Sequence, residues 1–392
     1  MTVKTQLAQI PYGRQDIDEQ DVRAVVEVLN SDFLTQGPAI PRFEEAVAAY
    51  VGVAHAVAVC NATAALHLAC RTLGLGPGDV LWTVPNTFVA SANCALYCGA
   101  QVDFVDIDPE TYNLSVSELA DKLYKAKLAG KLPKVVVPVD FSGQPCELEA
   151  IALLAKEFGF RVIEDASHAI GGSYKGQKIG NCSYSDITIF SFHPVKIITT
   201  GEGGMALTRD RELAEKLALL RTHGITREPS LMKKETEGAW YYEQVDLGYN
   251  YRMTDIQAAL GTSQLHRIDE FVMRRRKIAA RYDEAFASLP VVAPKQKPEG
   301  NSAWHLYVIQ VEESSGRTRK QVFESLRAAG VLVNVHYIPV HLQPHYRVMG
   351  FGPGAFPVAE AYYSRCISLP MYASMTEEQQ QYVIEQVRRA FA

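Results

Sequence analysis

Short apolar runs alternate with segments of helical periodicity over the first half of the chain. The apolar runs are rich in β-branched residues and predict strands, and the segments between them predict amphipathic helices. Strands are predicted at 56–60, 80–84, 101–107, 134–139, 161–165 and 186–192, and helices at 19–30, 42–50, 64–73, 89–98, 117–129 and 147–158. This alternation predicts an α/β domain built on a mostly parallel sheet.

The pattern changes after Leu207. A helix is predicted at 211–220, a polar insertion at 226–242, and one long helix from Thr254 to Phe286. Beyond it, strands at 305–311 and 331–337 and helices at 319–329 and 377–391 indicate a small α+β unit. We therefore expect a large domain over residues 1–265 and a small C-terminal domain over residues 266–392.

Composition narrows the class of protein. The 392 residues carry a net charge of -5, so nothing favours binding to a nucleic acid backbone. No apolar run reaches the roughly 20 residues of a membrane span, and the first ten residues do not resemble a secretory signal. Seven scattered cysteines without a CxxC pair favour buried free thiols over a metal site, Cys94 and Cys98 included. We expect a reduced, cytoplasmic protein that contacts neither membrane nor nucleic acid.

Polar residues follow several of the predicted strands. Asn61-Ala62-Thr63 and Asn86-Thr87-Phe88 each stand between a strand and a helix, where they are expected to cap the helix. Because ligands bind beyond the carboxyl ends of parallel strands, these segments should share one edge with Asp165 and Ser191. Backbone N–H groups and the Thr63 hydroxyl can hold an anion there. An ordinary helix cap explains the same residues.

Lys196 follows Pro194, which ends the strand predicted at 186–192. Its neighbours Val195, Ile197 and Ile198 are apolar, and loss of solvation favours the neutral amine that forms a Schiff base. By itself the segment is more typical of a surface lysine on a strand-to-strand turn. Nearby, Gly201, Gly203 and Gly204 allow a tight turn or a close approach to a ligand.

The combination of these features points to pyridoxal phosphate. An enzyme that uses this cofactor needs an anion cradle, an acid for the ring nitrogen and a lysine, and all three are predicted at one sheet edge. Asp165 can keep the ring nitrogen protonated, and Lys196 can hold the cofactor and carry a proton between two carbons. A helix cap or a surface acid remains an alternative for Asp165 alone.

The chain resembles the DegT/DnrJ/EryC1/StrS family of pyridoxal-phosphate-dependent sugar-nucleotide aminotransferases. The resemblance runs nearly end to end and implies the fold type I, aspartate aminotransferase-like architecture. The matching segments are Ser31 to Gly37, Asn61 to Leu66, Phe104 to Asp108, Glu164 to Ala169, Phe190 to Lys196, Gly201 to Gly204 and Gly248 to Asp255. Lysine rather than histidine at position 196 distinguishes the chain from the sugar 3-dehydratases of this family and favours amino transfer.

The resemblance assigns cofactor contacts to residues at matching positions. Lys196 would be the Schiff-base lysine, Asp165 would pair with the pyridine nitrogen, and His168 would lie near the ring. Phe88 would stack on the ring face. Asn250 would reach the cofactor phosphate of a second subunit, which implies a homodimer with shared active sites. The phosphate of the same subunit would be held by Ala62, Thr63 and Ser191.

The resemblance also implies a sugar-nucleotide site. It would be lined by Tyr12, by Asp32, Phe33, Leu34 and Thr35, and by His336, Tyr337, Ile338 and Pro339. Purely structural roles are open for each: N-terminal packing for Tyr12, a plain connection for 32–35, and a buried strand position for His336.

Within the family, the chain is most similar to the branch of pseudaminic acid biosynthesis. The segments Ile10 to Gln15, Trp240 to Gln244 and Val335 to Pro344 carry this similarity. It implies transfer from L-glutamate to C4 of UDP-2-acetamido-2,6-dideoxy-β-L-arabino-hexos-4-ulose, giving UDP-4-amino-4,6-dideoxy-N-acetyl-β-L-altrosamine and 2-oxoglutarate. Another nucleotide-linked 4-keto-6-deoxysugar, such as the D-xylo epimer, remains open. So does a regulatory protein that binds the cofactor without catalysis, although such a protein would be expected to lose Lys196 or Asp165.

Overall fold

The computed structural model describes residues 9–392, so predictions that involve residues 1–8, including the start of the large domain, lie outside it. A seven-stranded sheet forms its centre. All neighbouring strands pair in parallel except Gly204–Thr208, which is antiparallel to both of its neighbours. The strand order is His55–Val59, Gly204–Thr208, Ile187–Ser191, Arg161–Asp165, Val135–Val137, Val80–Thr83 and Gln101–Phe104. The predicted mostly parallel α/β sheet is confirmed.

Helices surround this sheet, and several begin where the sequence predicts a cap. Asp18 accepts hydrogen bonds from the backbone of Gln20 and Asp21 in a capping box, and Asn61 accepts one from Ala64. The helices are Glu19–Leu29, Ala39–Val51, Ala62–Thr72, Ala90–Tyr97, Val116–Ala129, Leu148–Phe158, Arg211–Arg221, Asp255–Leu265, Ile268–Phe286, Arg319–Ala328, Pro344–Arg347, Pro357–Arg365 and Glu377–Phe391.

Both faces of the central sheet are buried. Because side chains alternate along a strand, Leu81 and Val135 belong to one apolar cluster, while Trp82 and Val136 belong to another. Burial on both faces explains why these strands are continuous apolar runs rather than alternating ones.

A third apolar cluster lies in the C-terminal part of the chain. It packs around an antiparallel sheet of Val291–Val292, Tyr307–Val311 and Cys366–Leu369. The helix Ile268–Phe286 contributes its first half to the cluster beneath the large sheet and its second half, including Tyr282, to the C-terminal cluster. This helix therefore bridges the two units, and the predicted boundary at 265/266 stays a prediction.

Two-stranded and three-stranded ribbons complete the fold. Ile10–Pro11 pairs in parallel with Val331–Leu332, and Ile225–Thr226 pairs with Glu243–Gln244. Gly300–Asn301, Ser173–Tyr174 and Gln177–Lys178 form a further antiparallel ribbon. All seven cysteines are free thiols. Between residues 9 and 392, no helix is long and apolar enough to cross a membrane.

The single long helix predicted from Thr254 to Phe286 is wrong, because the chain forms two helices that are separated at His266 and Arg267. Arg267 lies 2.6 Å from the carboxylate of Asp21, which is fully buried in the N-terminal helix. The break turns the guanidinium toward this buried acid, a tertiary contact that the helical pattern does not contain.

Two other predictions of secondary structure are corrected. The strand predicted at 331–337 covers only Val331–Leu332, and the chain beyond it enters a cavity. The helix predicted to be capped by Asn86-Thr87-Phe88 begins later, at Ala90, and has no side-chain cap. The Asn86 side chain instead accepts from the backbone N–H of Tyr337 at 3.4 Å, so tertiary contact replaces capping.

Candidate active site

A cavity of about 610 Å³ opens at the carboxyl ends of the parallel strands. Most of the residues predicted to contact cofactor or substrate line it. From the cofactor set these are Ala62, Thr63, Phe88, Asp165, His168, Ser191 and Lys196, and from the substrate set Tyr12, His336 and Tyr337. The structure thus brings together side chains that are spread over more than 300 positions of the sequence.

Lys196 faces this cavity from the loop after the strand Ile187–Ser191. The side chain is half-buried, and loss of solvation around the amine lowers the pKa of Lys196 to about 8. The nearby charge of Asp165 acts in the opposite direction but is the smaller effect. About a tenth of the amine is therefore neutral at pH 7, far more than at the usual lysine pKa, and the neutral amine is the nucleophile.

Asp165 ends the strand Arg161–Asp165, and its carboxylate is held by two donors. The hydroxyl of Ser91 donates to Oδ2 at 2.6 Å, and the backbone N–H of Ser167 donates to Oδ1 at 3.2 Å. Asp165 is only 4% exposed. A buried carboxylate with fixed orientation suits the task of binding a protonated ring nitrogen.

His168 has a defined tautomer. The backbone N–H of Ser142 donates to Nδ1 at 3.2 Å, so the ring hydrogen is on Nε2, which lies 3.3 Å from the hydroxyl oxygen of Tyr337. Burial lowers the pKa of His168, which keeps the ring neutral. The His305 ring packs against His168 at an interplanar angle of 45°, with the ring centroids 4.3 Å apart. The two imidazoles form one wall of the cavity.

The helix Ala62–Thr72 directs its first turn into the cavity. First-turn N–H groups have no partner within a helix and attract anions. Gly204 makes the close packing at this point possible, because a Cβ there would lie 2.5 Å from the backbone nitrogen of Ala62. Gly204 also pairs with Ser191 across two strands, which brings the Ser191 hydroxyl to the cradle.

On the opposite side, the N-terminal segment meets the C-terminal part of the chain. The rings of Tyr12 and His336 lie 5.3 Å apart, and Nδ1 of His336 bonds the Ser368 hydroxyl at 2.7 Å. Burial lowers the pKa of His336 to about 3, so this ring is also neutral. This wall offers neutral polar and aromatic groups, which suit a sugar more than a bare anion.

The remaining predicted residues lie outside the cavity. Asn250 is exposed and bridges to Thr222. Ile338 is exposed and Pro339 is buried, both just beyond the cavity-lining Tyr337. The loop Asp32, Phe33, Leu34 and Thr35 is exposed, and it is tied to the start of the helix Asp255–Leu265 through a bridge between Thr35 and Thr254.

Sequence reasoning missed several residues that line the cavity. Ser91 and His305 make the best defined contacts, and His193, Glu202 and Asn334 also line it. Ser91 follows Thr87, a residue of the predicted edge segment, by four positions, and their hydroxyl oxygens lie 2.8 Å apart; this spacing is the local signal that can reveal such a pair. Nothing local in the sequence marks His305.

The arrangement fits pyridoxal phosphate: a partly desolvated lysine, a buried carboxylate oriented by donors, and an anion cradle at a helix N-terminus with the hydroxyls of Thr63 and Ser191. Fold and site together define a pyridoxal-phosphate-dependent transferase of fold type I. The chain belongs to the DegT/DnrJ/EryC1/StrS aminotransferase family, whose model matches residues 15–388. It is a pyridoxal-phosphate-dependent sugar-nucleotide aminotransferase.

Several proteins are similar in sequence to this chain over almost its whole length. The spore coat polysaccharide biosynthesis protein SpsC of Bacillus subtilis is 42% identical, over 97% of this chain and 96% of the relative. A UDP-4-amino-4,6-dideoxy-N-acetyl-β-L-altrosamine transaminase of Campylobacter jejuni is 37% identical over 95% of both chains. A GDP-perosamine synthase of Caulobacter vibrioides is also 37% identical, over 93% of both.

Solved structures agree with this family. Helicobacter pylori PseC, an aminotransferase involved in the biosynthesis of pseudaminic acid, superimposes with a TM-score of 0.89 at 34% identity, over 98% of this chain and 99% of PseC. The pyridoxal phosphate form of the sugar aminotransferase Spr1654 from Streptococcus pneumoniae gives 0.88 at 31% identity, over 98% of both chains.

Proposed function

We propose that the enzyme transfers the amino group of L-glutamate to C4 of UDP-2-acetamido-2,6-dideoxy-β-L-arabino-hexos-4-ulose. The products are UDP-4-amino-4,6-dideoxy-N-acetyl-β-L-altrosamine and 2-oxoglutarate. The observation that carries amino transfer is the half-buried Lys196, with a pKa lowered to about 8, in the same cavity as Asp165. A lysine with this pKa can take up and release a proton near neutral pH.

Each residue of the proposed cofactor site has its own role in the reaction. Nζ of Lys196 binds the cofactor, takes a proton from the donor's α-carbon and returns a proton to C4 of the sugar. Asp165, held by Ser91 and Ser167, keeps a proton on the pyridine nitrogen. Bound pyridoxal phosphate supplies the ring that accepts electrons from the bond being broken. Phe88 and His168, which line the same cavity, would flank this ring.

The cofactor phosphate would bind at the first turn of the helix Ala62–Thr72. Backbone groups of Ala62 and Thr63, with the hydroxyls of Thr63 and Ser191, supply neutral donors. The exposed Asn250 would complete this site in a second subunit, so we propose a homodimer with shared active sites. The proposed compartment is the cytoplasm.

The sugar nucleotide would bind at the wall of Tyr12, His336 and Tyr337. The neutral rings of this wall can bond sugar hydroxyls and the N-acetyl group. Ile338 and Pro339 would support it from the adjoining chain. Because the loop Asp32 to Thr35 is exposed and outside the cavity of its own chain, we propose that it contacts substrate at the site of a second subunit.

The choice of the L-arabino substrate rests on the altrosamine transaminase and PseC, which match nearly the whole chain. A second candidate is another nucleotide-linked 4-keto-6-deoxysugar, including the D-xylo epimer or a GDP-sugar. The GDP-perosamine synthase favours this alternative, because its sequence identity to the chain, 37%, equals that of the altrosamine transaminase.

The deciding experiment supplies the purified enzyme and glutamate with each C5 epimer of the UDP-4-ketosugar and, separately, with a GDP-linked 4-keto-6-deoxyhexose. NMR of each product identifies the nucleotide and the configuration at C4 and C5. Amination of the L-arabino epimer in preference to the others is expected. Preference for another ketosugar would refute the substrate assignment while leaving amino transfer intact.

A parallel measurement addresses the non-catalytic alternative. The bound cofactor should absorb at about 420 nm, and glutamate should bleach this band as the amino group is transferred. A spectrum that is indifferent to every amino donor would favour a regulatory protein. Lys196→Ala, which lacks the reactive amine, should purify without colour.

A further inference from the structure

Two carboxyl groups meet behind the cavity. Asp140 follows the strand Val135–Val137, and Glu164 precedes Asp165 on the neighbouring strand. Asp140 is 0% and Glu164 2% exposed, and the two side chains are near enough for each to shift the pKa of the other. Burial of two negative charges in contact is costly, so their protonation needs an explanation.

The donors around the pair account for only half of its oxygen atoms. Oδ1 of Asp140 accepts from the backbone N–H of Cys146 at 2.8 Å. Oε2 of Glu164 accepts from the hydroxyls of Ser185 and Thr188 at 3.1 and 2.7 Å. Among residues 9–392, the buried atoms Oδ2 of Asp140 and Oε1 of Glu164 find no donor. Ionised carboxylates only accept, so one proton between these two atoms satisfies both.

The shared proton should be bound by Asp140 rather than by Glu164. Burial, then the charge of Glu164, raise the pKa of Asp140 well above its usual range. Burial also raises the pKa of Glu164, but two hydroxyl donors and the Asp140 hydrogen bond favour its ionised form. Nearby groups add no compensating charge at short range: Asp165 and the thiols of Cys146 and Cys182 are acids.

Other titratable groups border Glu164 at a small surface crevice. These are Tyr174, Tyr184 and Lys178, and the ammonium of Lys178 is engaged by Asp269 at 3.4 Å.

The pair is connected to Asp165 through the backbone. The N–H of Asp140 donates to the carbonyl of Asp165 at 3.1 Å, and the N–H of Asp165 donates to the carbonyl of Pro138 at 2.9 Å. Successive residues of a strand point to opposite faces, so Glu164 anchors the face away from the Asp165 carboxylate. A shared proton between Asp140 and Glu164 would therefore join the strand that ends at Asp165 to the segment that follows the neighbouring strand Val135–Val137.

We propose that Asp140 and Glu164 share a single proton, carried by Asp140, and that this pair is a positioning element for the carboxylate of Asp165. The second part rests on the proposed role of Asp165 at the pyridine nitrogen. Ionisation of Asp140 places two charges in contact and separates the strand ends, so the cofactor site should loosen at alkaline pH.

Infrared difference spectroscopy tests the shared proton directly. The spectrum of wild type minus Asp140→Asn should contain the carbonyl band of a neutral carboxylic acid at pH 7. Asp106→Asn is the matched control, because Asp106 is also buried but its oxygens accept from the N–H groups of Val358 and Ala359. Its difference spectrum should show carboxylate bands only. Loss of carboxylate bands alone in Asp140→Asn would overturn the shared proton.

Stability against pH gives a second measurement. The pKa of Asp140 is raised above 3.8 in the folded state. Between pH 3.8 and the folded pKa, the unfolded state therefore binds fewer protons than the folded state. The contribution of Asp140 to stability should therefore decline as pH rises from about 4, and Asp140→Asn should lack this decline. Parallel profiles for wild type and variant would contradict a neutral Asp140.

Cofactor affinity tests the positioning role. Asparagine can donate to Glu164 at any pH, so Asp140→Asn should bind pyridoxal phosphate as tightly as wild type does at pH 7. It should bind more tightly than wild type at any higher pH at which the acid carbonyl band has left the wild-type spectrum. Asp140→Ala, if it folds, should bind about tenfold more weakly at pH 7. Equal pH dependence in wild type and Asp140→Asn would refute positioning. Failure of wild type itself to bind the cofactor or transfer an amino group would instead contradict the proposed function.

Discussion

The hydroxyl of Ser91 donates a hydrogen bond of 2.6 Å to Oδ2 of Asp165, across a separation of 74 positions. Ser91 is 1% exposed. Its oxygen also lies 2.8 Å from the hydroxyl of Thr87. The helix Ala90–Tyr97, which carries none of the predicted cofactor residues, thus sets the orientation of the carboxylate that we propose to bind the ring nitrogen.

Replacing Ser91 should weaken cofactor binding. Ser91→Ala removes a bond to a charged group, typically about 1.5 kcal/mol, so affinity for pyridoxal phosphate should fall about tenfold. Ser91→Thr retains the hydroxyl and should restore most of it. Absorbance titration of the apoenzyme measures both. Ser364→Ala removes an exposed hydroxyl and is the control; equal affinity in Ser91→Ala and Ser364→Ala would contradict the assignment.

The side chain of Lys196 should lower the free energy of unfolding of the apoenzyme. Its pKa falls from 10.5 to about 8, so the folded state penalises the charged amine. Lys196→Met should therefore be colourless and inactive yet more stable by about 1 kcal/mol at pH 7. Since both states lose the proton above pH 10.5, the stability gap should close between about pH 8 and 10.5.

Urea denaturation of the two apoenzymes across this pH range measures the gap. Lys320→Met, at a side chain that is 80% exposed, should show no such gap. A constant difference between wild type and Lys196→Met at all pH values would mean that desolvation of the amine is not its origin.

Gly204 should tolerate no side chain. Gly204→Ala places a Cβ 2.5 Å from the Ala62 nitrogen, so the helix N-terminus must shift. We expect a loss of about 2 kcal/mol of stability and weaker binding of pyridoxal phosphate. Gly76→Ala meets no atom within 4 Å and is the matched control. Thermal unfolding and cofactor titration compare the two variants, and similar behaviour would show that the cradle can adapt.

Removing Arg267 should be far more costly than removing a surface arginine. Arg267→Ala leaves the fully buried Asp21 with only Gln264 as a side-chain donor, so a loss of about 3 kcal/mol is expected. Arg211→Ala breaks an exposed pair with Glu215 and should change the free energy of unfolding by less than about 0.5 kcal/mol. Chemical denaturation of both variants measures this difference; equal losses would contradict the buried pairing.

The sequence predicts elements well where local signals agree. The strand Arg161–Asp165 and the helix Glu377–Phe391 lie where their patterns place them, because a continuous apolar run and a capped amphipathic repeat specify them locally. The break before Ile268 has no such local signal, since it depends on the pairing of Arg267 with Asp21, 246 positions away. Likewise, the local sequence predicts Asn86 as a helix cap, but in the structure its side chain accepts a hydrogen bond from the distant Tyr337.

The candidate site divides in the same way. The position of Lys196 and Asp165 at one cavity was predictable, because chemistry, spacing and family resemblance agree on it, and their chemical roles stay predictions. Ser91 and His305 were not, because their roles come from contacts with Asp165 and His168 that cross the chain. Residues 32–35 and Asn250 match the family but lie outside the cavity of this chain, so their roles stay predictions.

The pairing of Ile10–Pro11 with Val331–Leu332 has a consequence for the order in which the protein matures during translation. Residues 61–204 contain the whole proposed cradle and Lys196, so these can assemble while synthesis continues. Tyr12 leaves the ribosome early, but the strand that holds it emerges some 320 residues later, about 15–60 s at typical rates. A nascent chain would thus assemble the phosphate cradle of its own subunit and Lys196 before its sugar wall. A ribosome stalled beyond residue 260 would display the first without the second.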